Sequence, residues 1–183
     1  MTKKFLPLLL LFALSLTLSA QDKADFPAQA EWLEKWENSR AYTIEALALV
    51  PDTSLTFRPT EGQMSVQEQI QHISGNMFGL SRHFLDYQPD NFDEEALSNQ
   101  LKAETLDRKA LLSLLNSAYD FGATAVKSLP AERWDEEVSN FFAGPKSRRV
   151  IVYLLQDHAT HHRAQLLIYL RLLKLEPPRY RGW

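Results

Sequence analysis

The chain has 183 residues, with 20 Lys and Arg residues against 23 Asp and Glu residues and a formal net charge of −3. This balance lacks the basic footprint of proteins that bind DNA or RNA, so no nucleic-acid partner is expected. The sequence contains no Cys, which excludes disulfides, thiolate metal ligands and a Cys nucleophile. A metal site in this chain must therefore use His and carboxylate ligands.

The N-terminal segment has the three parts of a secretory signal peptide. Lys3 and Lys4 precede an apolar run over 5–18, and small residues follow it before the chain turns polar. That run is shorter than the roughly 20 residues that a membrane-spanning helix needs. We predict a signal peptide over 1–20 and one domain over 21–183, exported to the periplasm or secreted, with no membrane attachment after cleavage. The alternative is an uncleaved N-terminal anchor.

Four segments of the predicted domain carry apolar residues at helical spacing, and clusters of Pro, Gly, Asn and Asp separate them. The second segment begins with a capping box, in which Ser65 and Glu68 satisfy each other's backbone donors. A polar connection over 87–101 is long enough to cross one end of a bundle. With no set of strands, the pattern predicts an all-α four-helix bundle. The four predicted helices cover residues 27–49, 65–85, 105–129 and 147–175.

The fourth predicted helix carries two histidines on one face. His158 and His162 are one turn apart and within reach of a common ion. At about 100° per residue, His158 falls near the centre of the predicted apolar stripe, with His162 and Gln165 beside it. A core face rarely carries such residues, because buried polar groups need partners. The alternative is a pair of core histidines that are satisfied by hydrogen bonds. His161 lies toward the edge of the stripe and is interpreted as a rim residue or as support behind the ligands.

A third ligand has to come from another helix, and the second helix offers His72 and His83. Both lie in a polar row beside the apolar stripe, so spacing alone does not choose between them. His83 is near the end of the helix, where a solvated or capping role is the simpler interpretation.

Two motifs resemble the signatures of one known family. Residues 65–73 (SVQEQIQHI) resemble the helix-two signature of the DinB-like (YfiT-like) family of metal-dependent enzymes. Residues 157–165 (DHATHHRAQ) resemble its helix-four signature, usually H-x-x-H-H-R-G-Q. The resemblance covers nearly the whole mature chain in order and spacing. It implies an up-down-down-up bundle with a long crossover as its second connection, often as a homodimer.

The resemblance also implies that His72, His158 and His162 are the metal ligands. Three neutral imidazoles leave coordination positions open, which is typical of a catalytic metal. Such a site suits one divalent transition metal; the abundance of Zn favours Zn, with Ni, Fe or Cu as alternatives. His161 and Gln165 are predicted to lie behind the ligands. No residue is identified as a general base.

Three functions agree with these observations. The first is a metal-dependent hydrolase or transferase that acts on an unidentified small molecule. The second is a non-catalytic metal-binding or stress-related protein of the cell envelope. The third is a helical bundle whose histidines hold no metal.

Overall fold

Four long helices form the body of the computed structural model, which describes residues 27–182. The predicted signal peptide over 1–20 lies outside the described residues. The prediction of a four-helix bundle is confirmed. The bundle also carries a shorter helix and two very short antiparallel strands that were not predicted. None of the described helices is long and apolar enough to cross a bilayer. The elements are α1 (Pro27–Ala48), α2 (Val66–Phe84), α3 (Glu94–Lys102), α4 (Arg108–Ser128), β1 (Glu137–Val138), β2 (Lys146–Ser147) and α5 (Arg148–Leu172).

Helices α2, α4 and α5 begin where the sequence supplies capping side chains. The capping box of α2 is present: Ser65 Oγ accepts from the backbone of Glu68 at 3.2 Å, and Glu68 Oε2 accepts from the Ser65 backbone at 2.7 Å. Asp107 and Ser147 cap α4 and α5 in the same way, each accepting a backbone N–H with its side chain. These caps satisfy donors that the first turn of a helix leaves unpaired.

The directions of the helices follow from hydrogen bonds between them. Each long helix packs mainly on two others: α1 lies against α4 and α5, and α2 also lies against α4 and α5. The bonded pairs are Gln29–Val126 and Trp36–Tyr119 between α1 and α4, Trp32–Val152 and Ser39–Arg163 between α1 and α5, and Gln69–Gln165 and Phe84–Arg148 between α2 and α5. Helices α1 and α5 are therefore parallel, α4 is antiparallel to α1, and α2 is antiparallel to α5. In chain order the helices run up, down, down and up.

The crossover between α2 and α4 contains α3, which the sequence analysis left as a polar connection. Asp93 caps this helix by accepting from the Ala96 backbone at 2.8 Å. No residue of α3 is fully buried, but Leu97 and Leu101 pack against the core. Two apolar side chains are too few to give a periodic signal, so the helix was missed.

Aromatic rings pack helix α1 against α4. Trp32 and Trp36 stack with their ring centroids 4.8 Å apart, and Trp36 also meets Tyr119 at 4.7 Å. A Cβ added to Gly122 would lie 3.0 Å from Cζ2 of Trp36, so a larger residue at this position would require the Trp36 ring to shift. This packing holds α1 against α4 on the side of the bundle away from the α2–α5 pair, where the histidines are found.

Candidate metal centre

The three histidines predicted as ligands lie together between α2 and α5. One ligand nitrogen from each of His72, His158 and His162 can be chosen so that all three lie within 4.8 Å of one another. The Nε2 atoms of His72 and His158 are 3.0 Å apart. His162 is buried, His158 is half-buried and His72 is exposed, so the cluster is open to solvent on the side of His72.

His83 does not join this cluster. It lies in the last turn of α2, about 16 Å along the helix axis from His72 at 1.5 Å per residue. Its side chain is exposed, and its ring lies near that of Phe84. The interpretation of His83 as a solvated histidine agrees with this position.

The buried face of α5 differs from the predicted stripe. His162, 7% exposed, lies on the buried face, whereas His158 lies on its flank. A stripe centred on His158 counts the apolar residues Val150 and Leu172 as buried, but they are 42% and 50% exposed. Apolar residues at both ends of the helix thus shifted the predicted centre by part of a turn.

A hydrogen-bonded chain lies behind His162. Nδ1 of His162 is 2.6 Å from Oε1 of Gln69, and since an amide oxygen only accepts, the imidazole nitrogen is the donor. The Gln69 amide nitrogen in turn donates to Gln165 at 2.6 Å and to the Tyr169 hydroxyl at 3.2 Å, and that hydroxyl donates to the Met64 carbonyl at 2.9 Å. A proton fixed on Nδ1 leaves Nε2 of His162 with a free lone pair for an ion.

Gln69 contacts the candidate site but was not among the predicted site residues. It is 1% exposed and lies one turn before His72. The sequence does show this polar residue one turn before a predicted ligand. The spacing of residues along α2 does not reveal which residue of α5 it contacts. The two residues predicted to lie behind the ligands, Gln165 and His161, continue from Gln69. Gln165 contacts Gln69, and the Gln165 amide nitrogen is 3.0 Å from Nε2 of the exposed His161.

The electrostatics of the cluster keep its imidazoles neutral. Burial, followed by the neighbouring imidazoles, lowers the pKa of His158 to about 3 and that of His162 to about 4. Burial also lowers the pKa of His72, and His161 adds to this effect. Neutral imidazole is the form that binds metal ions.

The donor set fits a divalent transition ion. Imidazole nitrogens bound at 2.0–2.1 Å to a tetrahedral Zn are about 3.3–3.4 Å from one another. The separation of 3.0 Å between the Nε2 atoms of His72 and His158 is close to that value. Two ring nitrogens at this distance would repel each other unless a proton or a cation lies between them. The cluster can therefore hold an ion with small adjustments of the rings, and solvent can reach it beside His72.

A groove of about 350 Å³ adjoins His72 on the side that faces α3. Its lining mixes polar and apolar surface and comes from α2, with one leucine from α3. It gives a small molecule room beside the histidine cluster. The residues that line it with His72 are Glu68, Gln71, Gly75, Asn76 and Leu101.

The two carboxylates nearest the ligands in sequence have other contacts. Glu68 caps α2 and pairs with the guanidinium of Arg58, and these contacts lower the pKa of its carboxyl group. Asp157 is exposed and lines a separate hollow with Trp32 and Lys35 of α1. Glu68 thus lines the groove beside His72 but is paired with Arg58, and Asp157 lies at the hollow toward α1.

Comparisons with known proteins agree with the fold. The family model described as the DinB family matches residues 21–182. A DinB-like protein of Bacillus subtilis, YjoA, is 20% identical over 82% of this chain and 97% of its own, with a TM-score of 0.64. YfiT of Bacillus subtilis, described as a probable metal-dependent hydrolase with an unusual four-helix bundle topology, is 17% identical over 82% of this chain and 90% of its own, with a TM-score of 0.63.

A third similar structure is a mycothiol-dependent maleylpyruvate isomerase. It is 18% identical over 75% of this chain and 60% of its own, with a TM-score of 0.59. No curated protein matches the sequence. At these identities the structural likeness shows the fold alone.

Proposed function

The chain belongs to the DinB family, and on that premise we propose that it binds one divalent transition metal through His72, His158 and His162 and is a hydrolase or transferase for a small molecule. The observation that carries the proposal is the convergence of three imidazoles from two helices, with the most buried one oriented by Gln69. The description of YfiT as a probable metal-dependent hydrolase supports the same class of activity.

Each part of the site has a task in this proposal. His162 and His158 are held neutral by burial, so they are available as ligands at physiological pH. Gln69 fixes the tautomer of His162. A bound divalent ion would supply Lewis acidity toward a carbonyl or thiol and would make a water molecule easier to deprotonate. The groove beside His72 would hold the substrate next to the ion.

The metal is proposed to be Zn, because imidazole ligands suit it and it is abundant, with Ni, Fe or Cu as the alternatives. The site is proposed to work outside the cytosol. This part of the proposal rests on the predicted signal peptide over 1–20.

A second candidate function is a metal-binding protein of the envelope without catalytic activity. One observation favours it: the nearby carboxylates of Glu68 and Asp157 are respectively paired with Arg58 and turned toward α1. If neither carboxylate acts as the general base, a hydrolase would need its base from the substrate or from solvent.

Turnover separates the two candidates. Protein loaded in turn with Zn, Ni, Fe(II) or Cu is assayed on ester, amide and thiol-transfer substrates, with and without a chelator. The His158→Ala variant is the site-deficient control, and His83→Ala is the matched control at an exposed histidine. The enzyme proposal expects turnover that chelator and His158→Ala abolish and that His83→Ala leaves intact. Metal-loaded protein with no turnover, or turnover that chelator leaves unchanged, would favour the second function.

A further inference from the structure

Two buried polar atoms beside the histidine cluster have no hydrogen-bond partner among residues 27–182: Oδ1 of Asn76 and Nδ1 of His158. Buried polar atoms are almost always paired, and an unpaired one costs stability. One of these atoms is an acceptor, and the other donates when it carries the imidazole proton. The two unpaired atoms are therefore chemically complementary.

The register of α2 against α5 places these residues at the same level. The two helices are antiparallel, with Gln69 bonded to Gln165 and His72 close to His158 and His162. One turn beyond His72, Asn76 comes opposite residues 154–158. In that stretch two residues are leucines, and Gln156 and Asp157 line the hollow against α1. His158 is the polar side chain of this stretch that faces α2.

Gln69 already makes a contact between an amide oxygen of α2 and an imidazole of α5 in the same site. It lies three residues before His72, and Asn76 lies four residues after it. At about 100° per residue both are turned by about 40–60° to the same side of His72, toward α5. The amide oxygen of Gln69 accepts from Nδ1 of His162 at 2.6 Å. Asn76 lies on this same side of α2, at the level of the second histidine of α5.

The position of the imidazole proton decides whether Nδ1 of His158 can donate to an amide oxygen. The Nε2 atoms of His72 and His158 are 3.0 Å apart, a distance that needs either a proton on one of them or a cation between them. When His158 is the donor, its Nδ1 holds a lone pair and has nothing to donate to an amide oxygen. An ion on Nε2 requires the neutral imidazole to carry its proton on Nδ1 instead.

We propose that Asn76 is a positioning residue of the metal centre, whose Oδ1 accepts a hydrogen bond from Nδ1 of His158 when the site holds its ion. This inference rests on the proposed metal site and adds a residue to it. Asn76 would then orient His158 as Gln69 orients His162, so that both ligands of α5 are fixed by amide oxygens of α2. Partners of this kind typically change metal affinity by 10-fold to 100-fold.

The test measures Zn affinity by chelator competition and the melting temperature of the metal-free protein for wild type, Asn76→Ala and Asn76→Asp. Asn76→Ala should weaken Zn binding by about tenfold or more. It should leave the metal-free melting temperature unchanged or higher, because it removes an unpaired buried atom. Asn76→Asp keeps an acceptor and should bind Zn at least as tightly as wild type. Asn99→Ala, at an exposed position of α3, is the matched control and should change neither quantity.

A spectroscopic measurement tests the contact itself. In the Zn-bound protein, proton NMR should show a slowly exchanging Nδ1–H signal for His158 in wild type and Asn76→Asp, and Asn76→Ala should lose it. The inference is overturned if wild type binds Zn and Asn76→Ala binds it equally well. It is also overturned if Asn76→Ala lowers the metal-free melting temperature, since that indicates a structural role. Wild-type protein that binds none of Zn, Ni, Fe(II) and Cu overturns both this inference and the proposed function.

Discussion

The amide oxygen of Gln69 accepts a hydrogen bond of 2.6 Å from Nδ1 of His162, which joins α2 to α5 directly behind the histidine cluster. The bond is buried, and Gln69 is held in turn by Gln165 and Tyr169. Because the bond fixes both the ring orientation and the tautomer of His162, it prepares the most buried nitrogen of the site for an ion.

Replacing Gln69 by Leu should therefore weaken metal binding by about 10-fold to 100-fold, since His162 loses the acceptor that orients it. Zn affinity by chelator competition checks this result. Gln100→Ala, at an exposed position of α3, serves as the matched control and should bind Zn as wild type does. Equal affinities for wild type and Gln69→Leu would show that the hydrogen bond plays no part in the metal site.

The stability of the metal-free protein should depend on pH through the buried histidines. In the folded state the pKa values of His158 and His162 are lowered to about 3 and about 4, whereas in the unfolded chain both are about 6.5. The unfolded chain therefore binds more protons between these values, so stability falls as pH falls from about 6.5 toward about 4. Above about 6.5 both states are neutral at these residues, and their contribution is fully present.

Urea unfolding of chelator-treated protein at pH values between 4 and 7 measures this dependence. The double variant His158→Gln, His162→Gln should lose a clear part of the slope that wild type shows. His83→Gln changes an exposed histidine outside the cluster and should keep the wild-type slope. If the double variant and wild type have the same slope, the histidines are not buried as neutral groups.

Much of this fold could be predicted from the sequence, because caps and apolar spacing are local signals. The predicted bounds of the four long helices agree with the observed ones to within a few residues. The third ligand could not be chosen in this way. His72 and His83 are three turns apart and lie in the same polar row, so the choice depends on which level of α2 faces the α5 histidines. That level is set by tertiary packing, and only the family resemblance indicated His72.

The supporting residues of the site escaped prediction for the same reason. Gln69 and Asn76 are ordinary polar residues of an amphipathic helix until the partner helix is in place. The contact of Gln69 with His162 and the proposed contact of Asn76 with His158 depend on how α2 packs against α5, and no local pattern carries that information. Helix α3 was missed because Leu97 and Leu101 give it only one apolar turn.

Replacing each of two glycines in the bundle by alanine should change the free energy of unfolding in opposite directions. A Cβ on Gly122 would lie 3.0 Å from Trp36, a buried ring that is also bonded to the Tyr119 carbonyl and stacked on Trp32, so it cannot move aside. Gly122→Ala should lower the free energy of unfolding by about 1–3 kcal/mol, as overpacking does. Gly79 has nothing within 4 Å of an added Cβ, so Gly79→Ala should raise it by up to about 1 kcal/mol through helix propensity.

Chemical denaturation of the two variants beside wild type measures both effects. A stabilising Gly122→Ala would mean that the Trp36 ring is free to shift, and the close packing of α1 on α4 would then not depend on glycine.

Metal content tests the central claim most directly. Untagged protein, natively expressed and exported, is analysed by elemental mass spectrometry beside the His158→Ala variant, with circular dichroism to follow helix content. We predict one divalent transition metal ion per wild-type chain, and loss of that ion in His158→Ala with helix content largely retained. Wild-type protein without metal, or stoichiometric metal in His158→Ala, would contradict the assignment of His72, His158 and His162 as the metal site.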